Sequence, residues 1–139
     1  MAVISQRVER MVAVLGEEET VLDAARLMTE KRIGSVVVTS ASTVCGIFTE
    51  RDLMKLVVRN RREPDKVRLR DVMRRSLITV GPADTVEHCL SLMRENQCRH
   101  LLVFEGQEFV GIVSMRDLVL VLLEEKQQLI DDLTRYING

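Results

Sequence analysis

The chain repeats itself at a fixed offset. Gly46-Ile47-Phe48-Thr49-Glu50-Arg51-Asp52-Leu53 returns 65 positions later as Gly111-Ile112-Val113-Ser114-Met115-Arg116-Asp117-Leu118. The register extends well beyond the motif, since Gly16 meets Gly81, Thr20-Val21 meets Thr85-Val86, Leu27-Met28 meets Leu92-Met93, Glu30 meets Glu95 and Val38 meets Val103. A period of this kind sets the architecture before any local signal is considered. Two copies of one supersecondary unit have to be accommodated in 139 residues. Each copy, at about 60 residues, is marginal by itself, so the halves are expected to share a core.

Composition narrows the class further. Apolar residues make up 46% and charged residues 29%, and the net charge is −1, which provides no general field for nucleic acid or anionic membrane. Gln6, Arg7, Glu9 and Arg10 stand where a secretory leader needs an apolar run, and the run Leu118 to Leu123 is far short of the roughly 18 residues of a membrane span. Cys45, Cys89 and Cys98 are odd in number and lack CxxC spacing, so a reducing cytoplasm is expected.

In chain order, Met1 to Arg10 reads as a short lead-in helix and Met11 to Leu15 as a strand closed by Gly16. Thr20 caps a helix whose apolar face is Val21, Leu22, Ala24, Ala25, Leu27 and Met28. Ser35 to Thr39 and Val44 to Phe48 form a hairpin pair, and Thr49 opens a helix expected to turn Leu53, Met54, Leu56, Val57 and Val58 inward. Arg59 to Lys66, with Pro64, is a charged linker. The second cycle runs through a helical turn at Leu69 to Met73, a strand at Leu77 to Val80 and a helix capped by Thr85 that ends near Glu95. Then come a hairpin of His100 to Phe104 with Phe109 to Val113 and a helix from Ser114 to Leu123. Leu123, Ile130, Leu133 and Ile137 give a tail helix an apolar stripe that needs a partner, in cis or on another subunit.

The expected fold is α/β (α+β): two pseudo-symmetric β-α-β-β-α repeats packed through their sheets, with flanking N- and C-terminal helices. The domain expectation is residues 1–63 for the first repeat with its lead-in, 64–124 for the second, and 125–139 for the C-terminal helix.

The chemistry resides in Gly-Ile-x-Thr/Ser-x-Arg-Asp-Leu, at a strand-to-helix junction. First-turn N–H groups lack helical partners and the dipole favours negative charge there, so the junction suits a phosphate. Thr49 or Ser114 can reach a phosphate or sugar, and Asp52 or Asp117, one turn on, can accept both hydroxyls of a ribose. The competing explanation is a capping box, in which hydroxyl and carboxylate satisfy only the helix's own backbone. Duplication does not separate the two, because a duplicated fold duplicates its caps.

The ordered set of motifs resembles the cystathionine-β-synthase-type (CBS) domain family, specifically a tandem CBS pair or Bateman module. The resemblance runs from about Met11 to Leu123. It rests on the Gly-x-x-[Ser/Thr]-x-x-Asp-Leu junction in both halves, on Asp71-Val72-Met73, and on Cys98-Arg99-His100-Leu101-Leu102-Val103. It implies two clefts that bind adenine nucleotides or other adenosyl compounds, with occupancy reported to a partner. Carried over, one site joins Thr49, Arg51 and Asp52 to Ile78, Thr79, Arg99, His100 and Leu101. The other joins Ser114, Arg116 and Asp117 to Ala13, Val14, Gly34, Ser35 and Val36. Arg99 and His100 offer cationic or donating groups where Gly34 and Ser35 are small, so the Asp52 site is expected to favour phosphorylated ligands. Leu102 stands where the family has proline.

Other groups read as structural. His88 and His100 lack further ligands for a metal, the three cysteines suit core packing, and the methionines recur at core spacing. The basic run Arg59, Arg61, Arg62, Arg68, Arg70, Arg74 and Arg75 reads as a solvated linker face, and one Tyr, no Trp and three Phe are too few for base stacking. No catalytic grouping emerges. The expected function is a stand-alone regulatory CBS pair taking AMP, ADP or ATP first, with NADH or S-adenosylmethionine behind them. It is expected as a homodimer with an unknown regulated protein, no catalytic residues, no metal, no membrane and no nucleic acid. The alternative is a ligand-independent dimerisation or protein-interaction module.

Overall fold

A computed structural model of the chain describes residues Ala2–Asn138. Two compact units emerge, one of residues 11–77 and one of residues 1–10 with 78–139.

In the first, β1 (Val14–Gly16), α1 (Val21–Lys31), β2 (Ser35–Ser40), β3 (Thr43–Thr49) and α2 (Glu50–Met54) follow the expected order, and α2 runs on as a π-helical turn, Lys55–Arg59. β1 pairs parallel with β2, which pairs antiparallel with β3. α1 starts where Thr20 caps it and ends on Arg32 in the left-handed region, φ 55°. Side chains alternate across a strand. Val36, Val38 and Phe48 therefore enter a core with Val21, Ala24 and Met28, while Val37 and Ile47 point the other way and are also buried.

The second unit repeats the plan with β4 (Thr79–Val80), α4 (Val86–Asn96), β5 (His100–Glu105), β6 (Glu108–Ser114) and α5 (Met115–Asn138). Details are copied too. α4 ends on left-handed Gln97, 65 positions after Arg32, and the hairpin irregularity at Val38/Thr39 recurs at Val103/Phe104. Both hairpins close through two residues, Ala41-Ser42 and Gly106-Gln107, with positive φ at Ala41, Ser42 and Gly106 matching the strand twist. The core is Val86, Cys89, Met93, Leu101, Val103, Val113 and Leu118.

Each sheet is finished by a segment that precedes the other repeat. Residues 2–10 are not the expected helix: a single 3-10 turn, Ser5–Arg7, lies between bridges from Val3 to Thr85 and from Glu9 to Ile112. Ile4 and Val8 are buried in the second unit's core. Residues 67–75, read in part as solvated linker, do the same in the first unit through bridges from Arg68 to Thr20 and from Arg74 to Ile47. Val67, Leu69 and Met73 are buried there, and α3 (Leu69–Val72) forms the turn. Val3, Ile4, Val8 and Glu9 stand 65 positions before Arg68, Leu69, Met73 and Arg74, so the exchange obeys the repeat. A compact unit consequently ends at Leu77, after the segment that its own sheet needs.

Three expectations change. Of the apolar residues expected to turn inward from the α2 segment, Leu56 is buried and Leu53 half-buried, whereas Met54, Val57 and Val58 face outward, Val58 at 72% exposure and Met54 at 59%. α5 is a single helix of 24 residues with no break near Leu123, because Glu124 to Gln128 are good helix formers. Met11 and Met54 are exposed, and Cys45 and Cys98 are only half-buried, so neither group is uniformly core.

Candidate functional site

The two junctions are built alike. At the first, the Thr49 N–H and hydroxyl both donate to Asp52 Oδ2 at 3.0 Å, and the Asp52 N–H donates to Thr49 Oγ1 at 3.2 Å. At the second, the Ser114 N–H and hydroxyl donate to Asp117 Oδ2 at 3.3 and 2.8 Å, and the Asp117 N–H donates to Ser114 Oγ at 3.2 Å. The capping box is therefore formed at both. A third box of the same geometry joins Thr20 to Asp23, with bonds of 3.0, 2.9 and 3.2 Å. Its hydrogen bonds from Thr20 hold the Asp23 carboxyl below the usual carboxylate range, and the hydrogen bond between Glu19 and Asp23 pushes Glu19 up. Thr85 caps α4 through the His88 N–H at 3.1 Å, with His88 where an acid would complete the box. The box by itself is thus a helix device.

The second carboxylate oxygen distinguishes the junctions. Asp52 Oδ1 accepts from Arg74 Nε at 3.3 Å. Among the described residues nothing donates to Asp117 Oδ1, and Asp117 is half-buried beside the strand end. A carboxylate oxygen left over after the cap is a strong acceptor at a helix start, the group a sugar hydroxyl would seek.

Within each unit the structure brings part of each expected set together. The Glu50 N–H donates to Gly34 O at 3.0 Å and Ser35 pairs with Thr49 across β2 and β3. The Met115 N–H donates to Arg99 O at 2.8 Å and His100 pairs with Ser114 across β5 and β6. Thr49, Arg51 and Asp52 thus share a unit with Ala13, Val14, Gly34, Ser35 and Val36, and Ser114, Arg116 and Asp117 with Ile78, Thr79, Arg99, His100 and Leu101. Ala13, Val36 and Leu101 send their side chains into their own cores, and Ser35 is buried. Val14, Thr79, Arg51, Arg99 and Arg116 are exposed, and His100 is half-buried.

Sequence reasoning missed Arg74, which it placed on a solvated face. Arg68 and Arg70 pair with Glu18, the latter at 2.8 Å, and Arg75 donates to the Arg70 carbonyl at 2.6 Å. Much of the basic run is therefore engaged by its own unit. The signal available for Arg74 was its register partner, Glu9. No cluster of three or more metal-ligating side chains occurs among the described residues, and none of their helices is long and apolar enough to cross a membrane.

Comparison with known proteins gives a consistent picture. The CBS domain family matches residues 7–59 and 69–124. The CBS domain-containing protein CBSX3, mitochondrial, of Arabidopsis thaliana is 32% identical over 127 residues, covering 88% of this chain and 62% of that protein. This chain thus spans less than two thirds of that relative's length. The solved structure of a putative signal-transduction protein with CBS domains from Burkholderia ambifaria superposes with a TM-score of 0.85 at 30% identity, over 88% of this chain and 95% of that one. The CBS domain pair of protein MJ0100, solved with 5′-methylthioadenosine and S-adenosyl-L-methionine, shares the fold at a TM-score of 0.80 and 18% identity, over 90% and 98% of the two chains.

Proposed function

This chain belongs to the CBS-domain family, and from that premise we propose that it is a regulatory module which binds an adenosyl compound at its two Ser/Thr-x-x-Asp junctions and alters its contacts with a partner. The observation that carries this reading is the Asp117 carboxylate, whose Oδ2 holds the helix cap while Oδ1 has no donor among the described residues. Capping and ligand binding then use different oxygens of one side chain. The protein MJ0100 pair, seen with two adenosyl compounds, supports the ligand class.

AMP, ADP or ATP is the first choice of ligand, with S-adenosylmethionine or NADH behind. The companions to Thr49, Arg51 and Asp52 are Ile78, Thr79, Arg99, His100 and Leu101, and those to Ser114, Arg116 and Asp117 are Ala13, Val14, Gly34, Ser35 and Val36. Because Ala13, Val36 and Leu101 are core side chains, they would act through main-chain atoms. The role is regulation, not catalysis, in a reducing cytoplasm where Cys45, Cys89 and Cys98 stay free thiols. The working state is a homodimer that signals to another protein.

A second reading is favoured by the completeness of the boxes, since Thr20 and Asp23 form the same one with no ligand role assigned. On it the protein is a ligand-independent association module. Thermal unfolding with added AMP, ADP, ATP, NADH and S-adenosylmethionine separates the two, because a ligand that binds only the native state adds about 2.7 kcal/mol at a hundredfold excess over Kd. A concentration-dependent rise of several degrees with at least one compound is expected. No rise with any of them favours the association module.

A further inference from the structure

Arg74 is held in place by its backbone. Its N–H donates to the Ile47 carbonyl at 2.9 Å and its carbonyl accepts from the Ile47 N–H at 3.1 Å, which clips the residue to β3 just before the Thr49 junction. From there Nε reaches Asp52 Oδ1 at 3.3 Å, while Oδ2 serves the cap. Both oxygens of Asp52 are occupied. The carboxylate is 12% exposed and the guanidinium 39%, so the arginine has room to swing and the aspartate has little.

The other unit carries the same clip with the opposite charge. The Glu9 N–H donates to the Ile112 carbonyl at 2.8 Å and its carbonyl accepts from the Ile112 N–H at 3.0 Å. Glu9 and Arg74 are 65 positions apart, as are Asp52 and Asp117, so the two clips are equivalent places. One carries a cation and a latched carboxylate. The other carries an anion and a carboxylate with one oxygen unengaged by the described residues.

We propose that this position sets the charge class of ligand at each junction, a step that rests on the adenosyl-binding reading above. At Asp52 a ribose hydroxyl takes Oδ1 from Nε, and the released guanidinium, with five donors in a planar fork, turns to the ligand's phosphate. The single 3.3 Å contact through Nε gives way to a two-bonded fork on the phosphate, so the exchange gains one charge-assisted bond. Adenosine has no phosphate to offer and must break the ion pair uncompensated, so the Asp52 junction selects phosphorylated ligands. At Asp117 no ion pair has to open, and Glu9 on the equivalent clip supplies no cation for a phosphate, so that junction takes an uncharged or cationic adenosyl compound.

The test is calorimetric titration of AMP and of adenosine into the Asp117→Asn chain, with and without Arg74→Gln. Asparagine keeps an oxygen for the cap and turns the other acceptor into a donor, leaving Asp52 as the only competent junction. AMP is expected to bind more tightly than adenosine, and Arg74→Gln to weaken AMP about ten- to hundredfold, the worth of one charge-assisted bond, without weakening adenosine. The reciprocal variant, Glu9→Arg in an Asp52→Asn chain, changes an exposed residue and is expected to gain AMP affinity about tenfold. It keeps the test decisive should Arg74→Gln unfold. Equal changes for the two ligands, or an unaltered AMP affinity in Glu9→Arg, overturns the role of the clip and leaves the sensor reading standing. If the unaltered chain binds neither ligand, both fall.

Discussion

Asp52 and Asp117 each give one oxygen to the helix cap and keep the other apart from it, the division on which the proposed ligand role rests. Oδ2 collects the Ser/Thr hydroxyl and N–H at both junctions, and Oδ1 is left to Arg74 or to no donor among the described residues. A different side chain, Cys89, reports on packing. It is fully buried on α4, and burial first, then the charge of Asp84, pushes its thiol up to about 11. A free thiol titrates near 8.5. The folded state therefore holds its proton longer than the unfolded one, so the contribution is intact below about pH 8.5 and is lost as pH rises towards 11. The melting temperature is expected to fall more steeply over that alkaline window in the native chain than in Cys89→Ala. Parallel alkaline limbs would contradict this.

The exchanged lead-in segments are seated by two glycines, each opposite an incoming backbone. A Cβ on Gly111 would lie 2.3 Å from the Glu9 carbonyl oxygen, a main-chain atom fixed by its bridge to Ile112, whereas a Cβ on Gly46 would meet Met73 Sδ at 2.6 Å and the Arg74 carbonyl at 3.0 Å. Methionine can change rotamer and a bridged carbonyl cannot move cheaply. Gly111→Ala is therefore expected to destabilise by about 1–3 kcal/mol, with early exchange of amides 2–10, and Gly46→Ala by less. Equal losses in denaturant melts would speak against the seating described. The strands, helices and caps were legible because residue identity recurs at the offset, as with Thr20 and Thr85 or Gly46 and Gly111. The exchange was not, because Ile4 and Leu69 or Glu9 and Arg74 share only a place in the register. Loosely helical spacing in residues 2–10 outweighed a signal that only the opposite sheet edge makes meaningful.

For the molecule as a whole, α5 leaves the most apolar surface unaccounted for. From Leu123 onward every described residue is exposed, including Leu129 at 58%, Ile130 and Leu133 at 53% and Ile137 at 78%, while Gln127 and Gln128 bond to Asp131 and Asp132. A stripe of this extent is larger than scattered surface residues require. If a second copy covers it, Ile130→Glu with Leu133→Glu should convert a dimer to a monomer in sedimentation with helix content retained. A chain that is monomeric before substitution would rule out the homodimer, and a dimer unaffected by it would move the contact off the tail.

The junction residues were readable as a pair of alternatives, cap or ligand group, since Ser/Thr-x-x-Asp serves both. Which oxygen does what, and that Arg74 latches one of them, depends on a tertiary placement that no local spacing encodes. The most direct measurement is titration calorimetry of AMP into the native chain and into the Asp52→Asn, Asp117→Asn double variant, with the melting temperature recorded for each. Asparagine retains a cap oxygen, so the variant is expected to melt close to the native chain yet lose AMP binding at least tenfold. Unchanged AMP affinity in a folded double variant, or no binding by the native chain, would contradict the claim that these carboxylates hold an adenosyl ligand.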